Sequence, residues 1–183
     1  MSLRQETGAD ALRRSMQPYI LRFKDRQQDW DAFAYEEVAD PHYRRAQLRY
    51  IGAGGSGKDG DTNFLPAQGF TLSIMRLPPG AGGPPHTHEV EEVFFCLKGP
   101  VVVYWWEDGV QVEETLDTWD MIYSPPGVHH SFRNDTDDDA YLQVMLGRGR
   151  PGLPIYPDEE LERIKRERAA ALNPQHGEIT NAL

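Results

Sequence analysis

Gly80-Ala-Gly-Gly-Pro-Pro-His86-Thr-His88-Glu-Val-Glu-Glu92-Val-Phe-Phe-Cys-Leu-Lys-Gly99 is the stretch that decides the reading of this chain. Two imidazoles and a carboxylate stand at i, i+2 and i+6. In an extended strand, side chains an even number apart share a face. One strand through this stretch would therefore aim His86, His88 and Glu92 at a single point. Imidazole and carboxylate donors together suit a divalent first-row metal. The same parity turns Glu89 and Glu91 to the other face and sets Phe94 and Cys96 on the ligand side.

The flanks on either side read as short strands. Phe70 to Arg76 closes in Leu77-Pro-Pro-Gly80, and Glu91 to Leu97 ends at Gly99-Pro100. Val101 to Trp106 and Val110 to Leu116 flank Asp108-Gly109, a pair that accepts the positive φ of a tight hairpin turn. Met121 to Ser124, Val128 to Arg133 and Ala140 to Leu146 follow. Many short strands at this spacing predict a sandwich or barrel. Around this core, residues 1–68 read as an irregular arm packing on the barrel, with a strand at Ala46 to Ile51. Residues 69–147 form the barrel itself, and 148–183 are a polar tail holding one helix. That helix starts at Pro157, carries Asp158, Glu159 and Glu160 at its positive end and Lys165, Arg166 and Arg168 further on, and stops at Asn173-Pro174.

The bulk properties remove several classes of function. A chain of 183 residues buries a core without disulfides, and its single cysteine, Cys96, has no internal partner. A net charge of −10 disfavours nucleic acid. No apolar run reaches the ~18 residues of a membrane span. Arg4, Glu6 and Asp10 interrupt the N-terminus where a signal peptide would be apolar. A cytoplasmic protein acting on a small molecule is the expectation. Gly52-Ala-Gly-Gly-Ser-Gly57-Lys58 imitates a phosphate-binding loop. Asp59 stands where that loop needs Ser or Thr, and no helix follows, so it reads as a loop able to cover the barrel mouth.

The motifs resemble those of the cupin superfamily. The first pattern, G-x5-H-x-H-x3,4-E-x6-G, is met at Gly80, His86, His88, Glu92 and Gly99. The second, G-x5-P-x-G-x2-H-x3-N, is met at Pro125, Gly127, His130 and Asn134, with Trp119 in place of its first glycine. Because Trp resists the backbone angle that glycine accepts, the turn at Trp119 is expected to take another shape. The resemblance implies an all-β double-stranded β-helix, or jelly-roll barrel, holding one divalent ion on His86, His88, Glu92 and His130. Fe is the first choice, with Mn, Ni, Co and Zn also suited.

Three histidines and one carboxylate leave coordination positions open, as a catalytic site requires. The expected function is an Fe(II)/O₂ dioxygenase-type oxidoreductase. The alternatives are a redox-neutral isomerase or decarboxylase and a non-enzymatic binding protein. Phe94, Cys96, Tyr104 and Trp106 are the candidate pocket residues, which suggests an apolar or aromatic substrate, although Cys96 also reads as simple packing. His129 alternates with His130 and points away from the metal. Phe95 and Leu97 would leave an apolar strip outside the barrel, covered by the arm or by a second copy in a homodimer.

Overall fold

The computed structural model describes residues 7–56 and 64–172. Among the described residues there are eight strands: β1 (Ala46–Ile51), β2 (Thr71–Leu77), β3 (Glu92–Lys98), β4 (Val101–Glu107), β5 (Val110–Leu116), β6 (Met121–Ser124), β7 (His129–Arg133) and β8 (Ala140–Leu146). They form two antiparallel sheets, one in the order β1-β2-β8-β3-β6 and the other β5-β4-β7. Facing sheets of this kind make a jelly-roll barrel that hydrogen bonding does not close. Isolated bridges stitch its seam, where Gly82 pairs with Arg133 and His86 with His130.

Alternation explains the core. Along β2 and β8 every second residue is buried, which sends Met75, Leu77, Leu142, Val144 and Leu146 inward. On β4, Val101 and Val103 are buried, and Trp105 packs against the same core. By the same period, Tyr104 and Trp106 lie on the outer face. Their rings stack at 6.0 Å, and Trp106 stacks on His129 at 5.5 Å. Phe94 and Cys96 point inward from β3 and are fully buried.

The arm contributes more than a cover. β1 hydrogen-bonds to β2 and so extends the larger sheet with residues that precede position 69. Two helices lie in the arm: α1 (Gly8–Met16) and α2 (Ala34–Ala39). Thr7 and Asp10 form a reciprocal capping box at the start of α1. The tail holds α3 (Glu159–Leu172), which packs on α2 through Arg168, whose guanidinium lies 5.4 Å over the Tyr35 ring. The Asp158 carboxylate accepts from the Leu161 amide and caps α3, so the helix starts two residues after Pro157. Its expected stop at Asn173-Pro174 lies outside the described residues, as do residues 57–63 at the end of the glycine-rich loop. The preceding Gly54–Ser56 forms one 3-10 turn.

Trp119 corrects one expectation. The turn keeps the glycine shape, and Trp119 adopts φ +84°. The Trp119 amide donates to the Cys96 carbonyl at 2.8 Å, and the Cys96 amide donates to the Asp120 carbonyl at 2.8 Å. These two bonds hold the turn against β3 and keep the backbone in a region that L-residues avoid.

Candidate metal centre

His86 and His88 do not lie on the same strand as Glu92. They precede β3, with a bend between them and Glu92. The convergence read from strand parity comes instead from the bridge between His86 and His130. Their backbones exchange two hydrogen bonds, at 3.1 and 3.0 Å, which bring the two sequence motifs side by side. A third bond, from the Gly127 amide to the His88 carbonyl at 2.9 Å, ties the loop before β7 to the same segment. Glu92 then enters from the start of β3, with Phe94 and Cys96 below it on the inward row.

The four side chains meet at one carboxylate oxygen. Glu92 Oε2 lies 2.6 Å from His130 Nε2 and 3.6 Å from both His86 Nε2 and His88 Nε2. The donor atoms of His86, His88 and Glu92 all lie within 4.8 Å of one another, close enough to share one cation. Backbone carbonyls fix two of the imidazoles. His86 Nδ1 donates to Pro84 O and His130 Nδ1 to Val128 O, both at 2.9 Å. Each bond leaves the Nε2 lone pair facing the cluster, the arrangement a metal ligand needs. His88 Nδ1 is buried without a partner. Glu89 and Glu91, adjacent in sequence, are exposed.

The electrostatics agree with this arrangement. Burial pushes His88 down to about 4 and keeps its imidazole neutral. Burial alone would raise the Glu92 carboxyl, but the surrounding histidines outweigh it and hold the group well below the usual carboxylate range. Burial opposes charge on His130 too, yet its bond to Glu92 raises it. The 2.6 Å contact with Glu92 favours positive charge at this point, which a bound cation would also supply. The donor set therefore fits a divalent ion on chemistry and on tautomer.

One space touches the cluster, and another, lined by none of the four ligands, opens at the ends of β4 and β6. The first is a small chamber of about 20 Å³ that touches His86, His88 and Glu92 directly. Much of its remaining wall is polar and includes Glu36 from α2, Arg45, Gln47, Thr71 and Ser73. Arg45 Nη1 donates to Glu36 Oε2 at 2.5 Å, and the Tyr156 hydroxyl donates to Glu36 Oε1 at 2.6 Å. Tyr35 joins the Tyr156 hydroxyl at 2.7 Å. None of these groups stood out in the sequence, because Glu36 and Tyr156 are far apart in the chain and no local spacing links them. The second space is an open cleft of about 860 Å³, walled by Trp105, Trp106, Tyr123 and His129 among others.

The candidate pocket residues divide accordingly. Trp106 lines the outer cleft and not the chamber. Tyr104, on the same outer face, lies under the Arg133 guanidinium at 5.7 Å. Phe94 packs edge-on against His130 at 5.5 Å and Phe132 at 5.1 Å, behind the ligands. Cys96 is core packing, its thiol pushed up to about 11 chiefly by burial. The wall that faces the ligands is therefore mixed, with Phe33, Phe132, Met75, Val144 and Leu146 beside the polar groups, and its aromatic members are not the ones expected.

Residues 73–146 match the family model described as a cupin domain. No curated protein sequence matches the chain. Solved structures of the same fold include the polyketide cyclase RemF from Streptomyces resistomycificus, at 17% identity over 80% of this chain and 92% of that one, with TM-score 0.55. A sugar phosphate isomerase of the cupin superfamily from Silicibacter pomeroyi is similar at 23% identity over 70% and 75%, with TM-score 0.50. A recombinant oxalate oxidase in complex with glycolate is similar at 18% identity over 72% and 68%, with TM-score 0.50. At these identities the likeness speaks for the fold alone.

Proposed function

We propose that this chain, whose residues 73–146 match a cupin domain, is a metal-dependent enzyme whose ion sits among His86, His88, Glu92 and His130. The observation that carries the proposal is the convergence of three Nε2 atoms on Glu92 Oε2, beside a small chamber. Fe(II) is the proposed ion and O₂ the proposed co-substrate, in an oxygenase-type reaction. When bound, the ion supplies Lewis acidity and redox capacity at its open positions.

The protein's own residues do the rest. Pro84 and Val128 hold the imidazoles of His86 and His130 in one tautomer through their carbonyls. Glu36 of α2 and Pro154 form part of the chamber wall and narrow the space beside the ligands. Arg45 and Gln47 offer polar contacts to a small substrate. The mixed wall, with Arg45 and Gln47 beside Phe33 and Phe132, favours a small molecule that carries a polar group.

A second reading is redox-neutral isomerisation or decarboxylation. The chain of Tyr35, Tyr156 and Glu36 at the chamber favours it, because these hydrogen-bonded groups can relay a proton in and out of a buried site. Elemental analysis of purified protein, followed by O₂-electrode measurements on the Fe(II)-loaded form with small acids and aldehydes, tests the proposal. Substrate-dependent O₂ consumption is the expected result. Equal turnover without O₂ would transfer the site to the second reading. Absence of stoichiometric metal would end both.

A further inference from the structure

His86, Thr87 and His88 belong to neither sheet, yet the two imidazoles need a fixed spacing to serve one ion. Successive residues of an extended segment aim their N–H and C=O groups at opposite edges. His86 accordingly pairs with His130 of β7, and Thr87 pairs on the other edge with Ile155 of the tail. The Thr87 amide donates to the Ile155 carbonyl at 2.8 Å, and the Ile155 amide donates to the Thr87 carbonyl at 2.9 Å.

These bonds fall on the two peptide units that join the histidines. The unit between His86 and Thr87 is gripped from both edges, its carbonyl by the His130 amide at 3.0 Å and its N–H by Ile155. The unit between Thr87 and His88 is gripped through the Thr87 carbonyl. Rotation of either unit would turn an imidazole away from Glu92.

α3 holds Ile155 in place through both of its chain neighbours. Lys165 Nζ donates to the Pro154 carbonyl at 2.7 Å, and the Tyr156 amide donates to Glu162 Oε1 at 2.7 Å. Lys165 and Glu162 are themselves paired at 2.5 Å. Ile155 is 50% exposed although the Thr87 it bridges is buried, so its contribution is its backbone and not its side chain. It lies beyond residues 73–146, outside the part of the chain matched to a cupin domain.

We propose that Ile155 is a positioning residue of the metal centre: its amide and carbonyl, presented by α3, set the spacing between His86 and His88. This deepens the proposed metal site and rests on that reading. A bridge that only tacks down the tail would affect stability and leave metal affinity alone.

The test is the zinc affinity of the full chain by chelator competition, read beside Tm. Ile155→Pro removes the donating N–H and sets a ring carbon in its place. It should weaken zinc about 10- to 100-fold, the usual effect of losing a group that orients metal ligands. The conservative Ile155→Ala keeps the amide and should stay within about twofold of the parent chain. Val101→Ala truncates the core at the opposite end of β4 from the Trp105–His130 pair and supplies a destabilised control with parent affinity. A lowered Tm with parent zinc affinity in Ile155→Pro would overturn the proposal, and so would an equal loss of affinity in Val101→Ala. If circular dichroism shows Ile155→Pro unfolded, Lys165→Met, which frees Pro154 from α3, replaces it; a loss of about threefold is then expected, and none would overturn the proposal. If the parent chain takes up no zinc, the metal reading fails, and amide hydrogen exchange in the metal-free chain decides the positioning. Ile155→Pro should speed exchange at the His86 and His130 amides, and unchanged rates at both would overturn it.

Discussion

Glu36→Gln removes one charge from the most deeply buried ion pair while preserving its shape. The Glu36 and Arg45 side chains are 1% and 3% exposed and meet at 2.5 Å. The Arg45 guanidinium also lies 4.2 Å over the Phe33 ring and 5.5 Å over Phe132, which leaves its charge poorly solvated once the partner is neutral. Breaking a buried pair from one side costs about 3–5 kcal/mol. The glutamine oxygen still accepts from Arg45, and the Tyr43 and Gly82 carbonyls remain, which places the expected loss near the lower end, about 3 kcal/mol. For a chain of this length that lowers Tm by roughly 6–12 °C. Differential scanning calorimetry of chelator-treated protein separates the effect from metal binding. The pair Glu36→Gln with Arg45→Met should regain much of the loss, because no uncompensated charge is left. A single-variant shift below about 2 °C, or a double variant no better than the single, would refute the claim that Arg45 depends on Glu36.

His88→Ala should abolish stoichiometric metal, whereas His129→Ala, which loses only a stack on Trp106, should retain it; elemental analysis of both variants decides. The metal-free protein should lose stability as pH falls from about 6.5 to about 4, because the unfolded chain binds a proton that buried His88 refuses. Urea melts at about pH 7 and about pH 4.5 check this, and His88→Leu should flatten the difference. Trp119→Gly should raise stability by about 1 kcal/mol by relieving the positive φ, less whatever its ring gains 6.3 Å from Phe95; a lower Tm would show that the ring contact dominates. Trp119, Met121 and Tyr123 are 71%, 48% and 53% exposed along β6 and the turn before it, so light scattering at micromolar concentration is expected to give a dimer, and a monomer would remove the homodimer proposal.

The strands were legible because each has a strict period and a marked end. Asp108-Gly109 and Pro125-Pro126-Gly127 punctuate the chain where the observed strands stop. The spacing of His86, His88, Glu92 and His130 was legible for the same reason, although the means of convergence was not: a bridge between two distant segments replaces the single strand. The chamber wall was hidden because its polar residues come from separate parts of the chain. Glu36 stands on a helix of six residues, Arg45 just before β1, and Tyr156 beyond the barrel. Nothing local announces that they meet. α1 was missed although Thr7-Gly-Ala-Asp10 spells its capping box.

The chamber is assembled from two sources. The ligands, Ser73 and Met75 belong to the matched barrel, whereas Glu36, Arg45, Gln47 and Pro154 come from the arm and tail outside it. The barrel thus supplies the donors a metal would need, and the appendages supply part of the wall beside them. Substitutions in the arm can therefore reshape the space beside the donors while the donors themselves, which the barrel carries, stay in place.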